Sequence, residues 1–305
     1  MINYYYKSVF NKKIRKYSKY IKGCYINCFN LTDIEIELLV KKYKLSKDLI
    51  NDALDLYEVP RYEVENGYFY LFTRIPNINN DKDIDTIPVL LVKSEDFIVS
   101  ICINDVIGIN KFLLSNPTTT QRTKFILNFL LFTNNLYKKE LHTISKNIMN
   151  IGKKIEGLDN KQIIKLIQNE KKINDFINAL SPTKLIFQKI LHENALNYVE
   201  NDRDLVEDLK LSSNQLNEIC ISTLKYSVSI REAYSAIITN NLNKVMKVLT
   251  ALTLIFTIPT FIASFFGMNV WLPFSDNSNA YIIITLLITA LTTAIVYIFY
   301  KLKLL

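Results

Sequence analysis

The apolar positions of this chain of 305 residues fall into three successive patterns. Up to about residue 105 they come in short β-branched and aromatic runs set off by turn formers, which predicts strands. Segments 2–9 and 22–28 are rich in Tyr, Ile and Val and flank the polar run Asn11-Lys12-Lys13. Segments 61–64, 68–75, 87–93 and 97–103 follow, split by Asn66-Gly67, by 77–83 and by Ser94-Glu95-Asp96, as in antiparallel strands joined by turns. Between the first pair and the rest, Leu31-Thr32-Asp33-Ile34-Glu35 has the form of a helix start, with Thr32 or Asp33 at the N-cap and the helix running to about Lys42. Ser46 can cap a second short helix over 47–55, ahead of Pro60.

From about residue 119 the spacing turns helical with scarcely a breaker. Three long helices are expected, near 119–152, 160–198 and 202–266, with Pro182 and the stretch 152–160 as turn positions. The last spans roughly 95 Å at 1.5 Å per residue, which is hard to bury in a monomer and implies bundling with copies of itself. The third pattern overlaps it. Segments 248–266 and 280–300 run for 19 and 21 residues without a charge, and each can cross a hydrocarbon core roughly 30 Å thick. Lying late in the chain, neither reads as a signal peptide. The fold class that follows is an α+β cytosolic domain over 1–118, a helical stalk over 119–247 and a transmembrane domain over 248–305. The first span is 248–266, the outer loop 267–279 and the second span 280–300.

Charge orients these spans. Lys244 and Lys247 precede the first, Lys301 and Lys303 follow the second, and the loop between has no Lys or Arg and the single acid Asp276. Positive residues stay inside, so a multi-pass protein of the cytoplasmic membrane with both termini cytoplasmic is expected. Trp271, Tyr281, Tyr297 and Tyr300 suit the interfacial aromatic belt.

Composition removes several functions. The net charge of +8 comes from scattered Lys with no basic block, so nucleic acid is not an expected partner. Cys24, Cys28, Cys102 and Cys220 belong to a reducing compartment, and His142 and His192 are too remote to complete a zinc site with Cys24 and Cys28. The first 30 residues lack acids, but with one Arg, little Ser and strand patterning they do not read as a transit peptide. Six glycines form neither a phosphate cradle nor a dinucleotide turn, so no nucleotide is expected, and no hydrolase motif supports an enzyme.

One stripe carries chemistry. Asn243, Met246, Thr250, Thr253, Thr257 and Thr260 are spaced 3, 4, 3, 4, 3, an a/d repeat on one helix face, four of them threonines at hydrocarbon depth. A single such Thr bonds back to its own helix or packs between helices. A heptad-spaced stripe that ends just before Asn269 points instead to a wet, protein-lined path, which a two-span subunit can enclose only as an oligomer.

Asn243-Lys244-Val245-Met246-Lys247-Val248-Leu249-Thr250, Ile258-Pro259-Thr260-Phe261-Ile262-Ala263 and Phe266-Gly267-Met268-Asn269 closely resemble the CorA family of magnesium and cobalt channels. Segments 23–39 and 60–75 look like the same family's cytosolic domain, so the resemblance spans nearly the whole chain. It implies a funnel-shaped homopentamer in membrane lipid that carries Mg²⁺ and Co²⁺, is driven by the membrane potential and is gated by intracellular Mg²⁺. It implies Gly267, Met268 and Asn269 as the selectivity filter, and Thr260, Thr257, Leu249, Met246 and Asn243 along the pore, with Leu249 a hydrophobic constriction one position off Thr250. It implies Asp208 as the regulatory carboxylate and Glu232 as its acidic neighbour nearer the membrane. The acidic run Asp202, Asp204 and Glu207 beside Asp208 adds Asp204 as a candidate regulatory metal ligand, and Asp96 and Glu95 are candidate partners of Asp208 by locality alone. The outer loop departs from the family's commoner Met-Pro-Glu, reading Trp271-Leu272-Pro273-Phe274, and the basic C-terminal cluster shrinks to Lys301 and Lys303. The alternatives are a zinc transporter of the same superfamily, proton-coupled or not, and a non-conducting membrane scaffold.

Overall fold

The computed structural model describes residues 1–77, 86–193, 196, 198, 200–270, 273 and 279–302, with the backbone alone at 191–193, 201 and 280. Most of the expected turn over 77–83, and Trp271, Asp276 and Lys303, lie outside the described residues. The elements in chain order are β1 (Ile2–Tyr6), β2 (Arg15–Tyr17), β3 (Cys24–Phe29), α1 (Asp33–Tyr43), α2 (Lys47–Ala53), β4 (Arg61–Glu65), β5 (Tyr68–Pro76), β6 (Thr86–Lys93), β7 (Phe97–Cys102), α3 (Ile107–Leu114), α4 (Arg122–Gly152), α5 (Asn160–Glu193), α6 (Arg203–Phe266) and α7 (Ala280–Lys301). Contacts divide the chain into two units, Met1–Ile230 and Arg231–Leu305, so α6 contributes to both.

In the first unit seven strands form one sheet in the order β2-β1-β3-β7-β6-β5-β4. All pairs are antiparallel except β3–β7. Asn66 and Gly67 both take positive φ, 52° and 78°, between Glu65 and Tyr68, which is the two-residue turn whose twist matches a hairpin. Thr32, not Asp33, caps α1: Thr32 Oγ1 accepts from the Glu35 N–H at 3.4 Å while Glu35 Oε2 accepts from the Thr32 N–H at 3.0 Å. Ser46 starts α2, but its side chain makes no capping bond, and its N–H donates to Tyr70 Oη.

Both faces of the sheet are covered, which is why the central strands read as near-continuous apolar runs. One face packs Ile26, Tyr70, Phe72, Leu90 and Val99 with Leu39, Tyr43, Leu49 and Ile50 of α1 and α2. The other packs Tyr25, Leu71, Val89 and Ile98 with Phe112 of α3, Phe125 and Phe129 of α4, Phe187 of α5 and Val206 and Leu209 of α6. The stalk helices therefore complete the core of the α+β unit. Sequence patterning misses β2, which is three residues long with two of them cationic, and α3, which is two turns joined to the sheet only by tertiary packing.

Pro182 is not a turn: it lies inside α5. Ala179, Leu180, Thr183, Ile186 and Phe187 are buried on both sides of it, and that packing carries the helix past the one backbone donor a proline lacks.

From Val206 to Ile230, α6 buries Val206, Leu209, Ser213, Leu216, Cys220, Thr223, Ser227 and Ile230, a 3–4 spacing of coiled-coil type. Asn134 Nδ2 donates to Ser213 Oγ at 3.0 Å, Ser181 Oγ to Asn217 Oδ1 at 2.8 Å and Ser227 Oγ to Glu170 Oε1 at 3.1 Å, so α4 and α5 hold α6 by polar as well as apolar contacts. At the end of this seam α4 approaches α6 closely: a Cβ on Gly152 would meet Tyr226 Oη at 2.7 Å and Ile230 Cδ1 at 2.9 Å. Gly152→Val is expected to cost about 1–3 kcal/mol by overpacking. Urea unfolding of the whole chain, read by labelling of Cys220, checks this through an earlier midpoint, with Gly152→Ala milder because Tyr226 Oη is the far end of a side chain that can swing.

The four cysteines are free and buried. Burial pushes each thiol up, Cys220 to about 12, so near pH 7 each stays protonated and unreactive. Maleimide should label none of the four in the native protein and all four in denaturant; rapid native labelling would contradict the packing.

Candidate ion path along α6 and the Gly-Met-Asn turn

In the second unit, the C-terminal part of α6 and α7 are long and apolar enough to cross a membrane. Ala251, Ile255, Ile258, Pro259, Ile262 and Phe266 are the α6 positions withdrawn from solvent, and Ile284, Ile288, Thr292, Ile295 and Phe299 those of α7. At 100° per residue the six α6 positions centre about 160° from the centre of the stripe Asn243, Met246, Thr250, Thr253, Thr257 and Thr260. The stripe is exposed along its whole length. Leu249, exposed as well, flanks it by about 70°. Lys244 and Lys247 point about 150° and 90° away, so no cation projects along the stripe.

Thr250, Thr253 and Thr260 each donate a hydroxyl proton to the carbonyl four residues back, Met246 O at 2.8 Å, Leu249 O at 2.8 Å and Phe256 O at 2.7 Å. Back-bonding and a wet path are thus compatible. With the proton turned onto the helix, each hydroxyl shows only lone pairs outward, an acceptor for water coordinated to a cation.

α6 stops at Phe266. The Gly267 N–H donates to Ala263 O at 3.0 Å and Ser264 O at 3.2 Å, and the Met268 N–H to Phe265 O at 3.4 Å. Positive φ occurs at Gly23 and Gly67 among the glycines, not at Gly267. What favours glycine at this helix end is crowding, since a Cβ would meet Ala263 O at 3.3 Å. Met268 is 53% exposed. Asn269 is exposed, and its amide makes no hydrogen bond among the described residues.

The expected regulatory carboxylates are not gathered in one chain: no group of three or more His, Cys, Asp or Glu among the described residues could hold a metal. Asp208 and Asp204 are exposed on α6 in the first unit, Glu207 pairs with Arg203 at 3.2 Å, and Asp202 is buried. Asp96 is bound by Lys22 at 2.9 Å, and Glu95 is exposed. Glu232, in the second unit, shares a shallow groove on α6 with Ser235, Ala236, Thr239, Asn240 and Asn243.

One regularity escaped the sequence reading. In the first unit Asp208, Leu211, Gln215, Glu218, Ser222, Lys225 and Ser229 are all exposed, each two residues on from a buried seam position and so about 200° around the helix. The signal was available, since stepping the stripe's 3–4 spacing backward from Asn243 passes through Thr239, Ala236 and Glu232 to these positions and Asp204.

The CorA-like Mg2+ transporter protein family model matches residues 22–301. The cobalt/magnesium transport protein CorA of Methanocaldococcus jannaschii is 24% identical over 291 residues, covering 90% of this chain and 89% of the relative. Its complete structure superposes with a TM-score of 0.84 at 20% identity, covering 99% of this chain and 98% of that one. The full-length CmaX structure superposes with a TM-score of 0.80 at 16% identity, covering 99% and 97%.

Proposed function

This chain belongs to the CorA-like Mg²⁺ transporter family, and from that premise we propose that it is a Mg²⁺ channel, also passing Co²⁺, in the cytoplasmic membrane with both termini inside. Five copies surround one path, each contributing the exposed α6 stripe. The observation that carries this reading is the stripe itself: on the face opposite the solvent-withdrawn side of α6, free of cations, and lined by threonines that offer acceptors.

Mg²⁺ keeps its water shell. The Asn269 carbonyls accept hydrogen bonds from that shell without stripping it, and as neutral oxygens they release the ion. Thr260, Thr257, Thr253 and Thr250 continue the row of acceptors inward, and Leu249 with Met246 forms a constriction that closes by dewetting. The membrane potential supplies about 4.6 kcal/mol per ion at 100 mV. The zinc alternative is not favoured by the Methanocaldococcus jannaschii relative, a cobalt/magnesium transport protein.

Gating rests on Asp208 and Glu232. Mg²⁺ bridging carboxylates of adjacent copies holds the assembly closed, and its loss leaves like charges to push the copies apart. Asp208→Ala is expected to raise at least threefold the internal Mg²⁺ needed for half-inhibition, measured in liposomes preloaded with graded Mg²⁺. An unchanged inhibition curve would remove Asp208 from the sensor. The channel reading as a whole is tested by native protein in liposomes holding a Mg²⁺-sensitive dye under an inside-negative potential, where absence of influx from folded oligomer overturns it.

A further inference from the structure

The sheet of the first unit ends differently at its two edges. Residues 1–23, which supply the β2 edge, contain seven Lys and Arg and no acid. Lys12, Lys13, Arg15, Lys16 and Lys19 are exposed and have no ion-pair partner among the described residues. The connection between β1 and β2 presents Val9 and Phe10, with Phe10 96% exposed. Its base is anchored: the Lys7 N–H donates to Thr119 Oγ1 at 3.0 Å, the Thr119 N–H to Lys7 O at 3.0 Å and the Ile14 N–H to Asn116 Oδ1 at 3.1 Å. A large apolar side chain held out on a fixed base, among unpaired cations, is a surface awaiting a partner.

The opposite edge complements it. Residues 45–67, around β4, hold six acids against two cations. Arg61, which ties down Asp52, Glu58 and Glu63, fixes the acidic loop. Beside it opens a cleft of about 510 Å³, walled by Tyr57, Val59 and Pro60 of the loop and Ile177 and Pro182 of α5. The two edges lie six strand spacings apart, roughly 29 Å, so the hairpin tip cannot fill its own chain's cleft.

We propose that the Val9–Phe10 tip of one copy seats in the Tyr57–Val59–Pro60 cleft of the next, with its lysines against the acidic β4 edge. Knob and cleft sit on different surfaces of one chain, so the contact is head-to-tail and repeats until a ring closes. This deepens the reading that several copies surround one path, naming a contact between their α+β units.

The test uses the full chain in its membrane with a short thiol-to-thiol linker, the four native cysteines being buried. Phe10→Cys combined with Val59→Cys is expected to give a crosslinked ladder from dimer to closed ring, and either substitution alone only monomer. Lys12→Glu with Lys13→Glu in the double-cysteine chain should cut the yield at least fivefold. Dimers from Phe10→Cys alone would mean two tips meeting, and no ladder from the double variant would mean no contact; either overturns the proposal. Asn243→Cys, on the stripe, separates this from the channel reading. A ladder there without one at the edges overturns only the edge contact, and absence of both overturns the common assembly as well.

Discussion

Asn269→Ala should reduce Mg²⁺ influx into dye-loaded liposomes by at least tenfold under an inside-negative potential. The expectation follows from the free amide at the end of α6, exposed and unbonded among the described residues. In the proposed channel each copy would lose one acceptor to the ion's water shell, worth about 0.5–1.5 kcal/mol net. Several copies losing it together exceed the roughly 1.4 kcal/mol that corresponds to a factor of ten. Asn269→Asp keeps the oxygen but adds charge, so it should bind Mg²⁺ more tightly and conduct more slowly, with block by Co²⁺ at lower concentration. Influx within twofold of native in Asn269→Ala would remove this residue from the filter, whatever the cargo.

The largest effect on stability is expected at Tyr25. Its ring is wholly buried against Phe125, with centroids 4.8 Å apart, where the sheet meets α4. Its hydroxyl donates to Ser100 Oγ at 2.5 Å, and Ser100 in turn donates to Asn27 Oδ1 at 2.9 Å. Burial raises its pKa well above the usual value, so the phenol stays neutral and remains a donor. Tyr25→Ala opens a cavity at this junction and should cost about 3–5 kcal/mol, lowering the melting temperature of the unit by about 10 °C. Tyr25→Phe keeps the packing, loses one hydrogen bond and should cost about 1 kcal/mol. Labelling of Cys28 and Cys102 in rising urea reads both, and equal midpoints for the two variants would show that the relay, not the ring, holds the junction.

Much of the candidate path was legible because its rules are local. The 19 and 21 uncharged residues of the two spans follow from hydrocarbon thickness, and the threonine stripe from the helical period. The type of the Asn66-Gly67 turn followed from the two residues themselves, since both must accept positive φ. Gly267 is a different case: a glycine at a helix end is compatible with several geometries, and only the structure shows that its φ is not positive and that a Cβ would be crowded by Ala263 O.

What the chain alone determined is therefore periodic or local: most strands, the capped first helix, the long helices, the two apolar spans and the stripe ending near Asn269. The tertiary structure decided the parallel β3–β7 pairing, the passage of α5 through Pro182, the joining of the stalk helices to the core and which faces of α6 stay exposed. The physical reason is range. A helix period or a turn is set within a few residues, whereas a strand partner, a tolerated proline or an exposed face depends on what residues far along the chain bring against it.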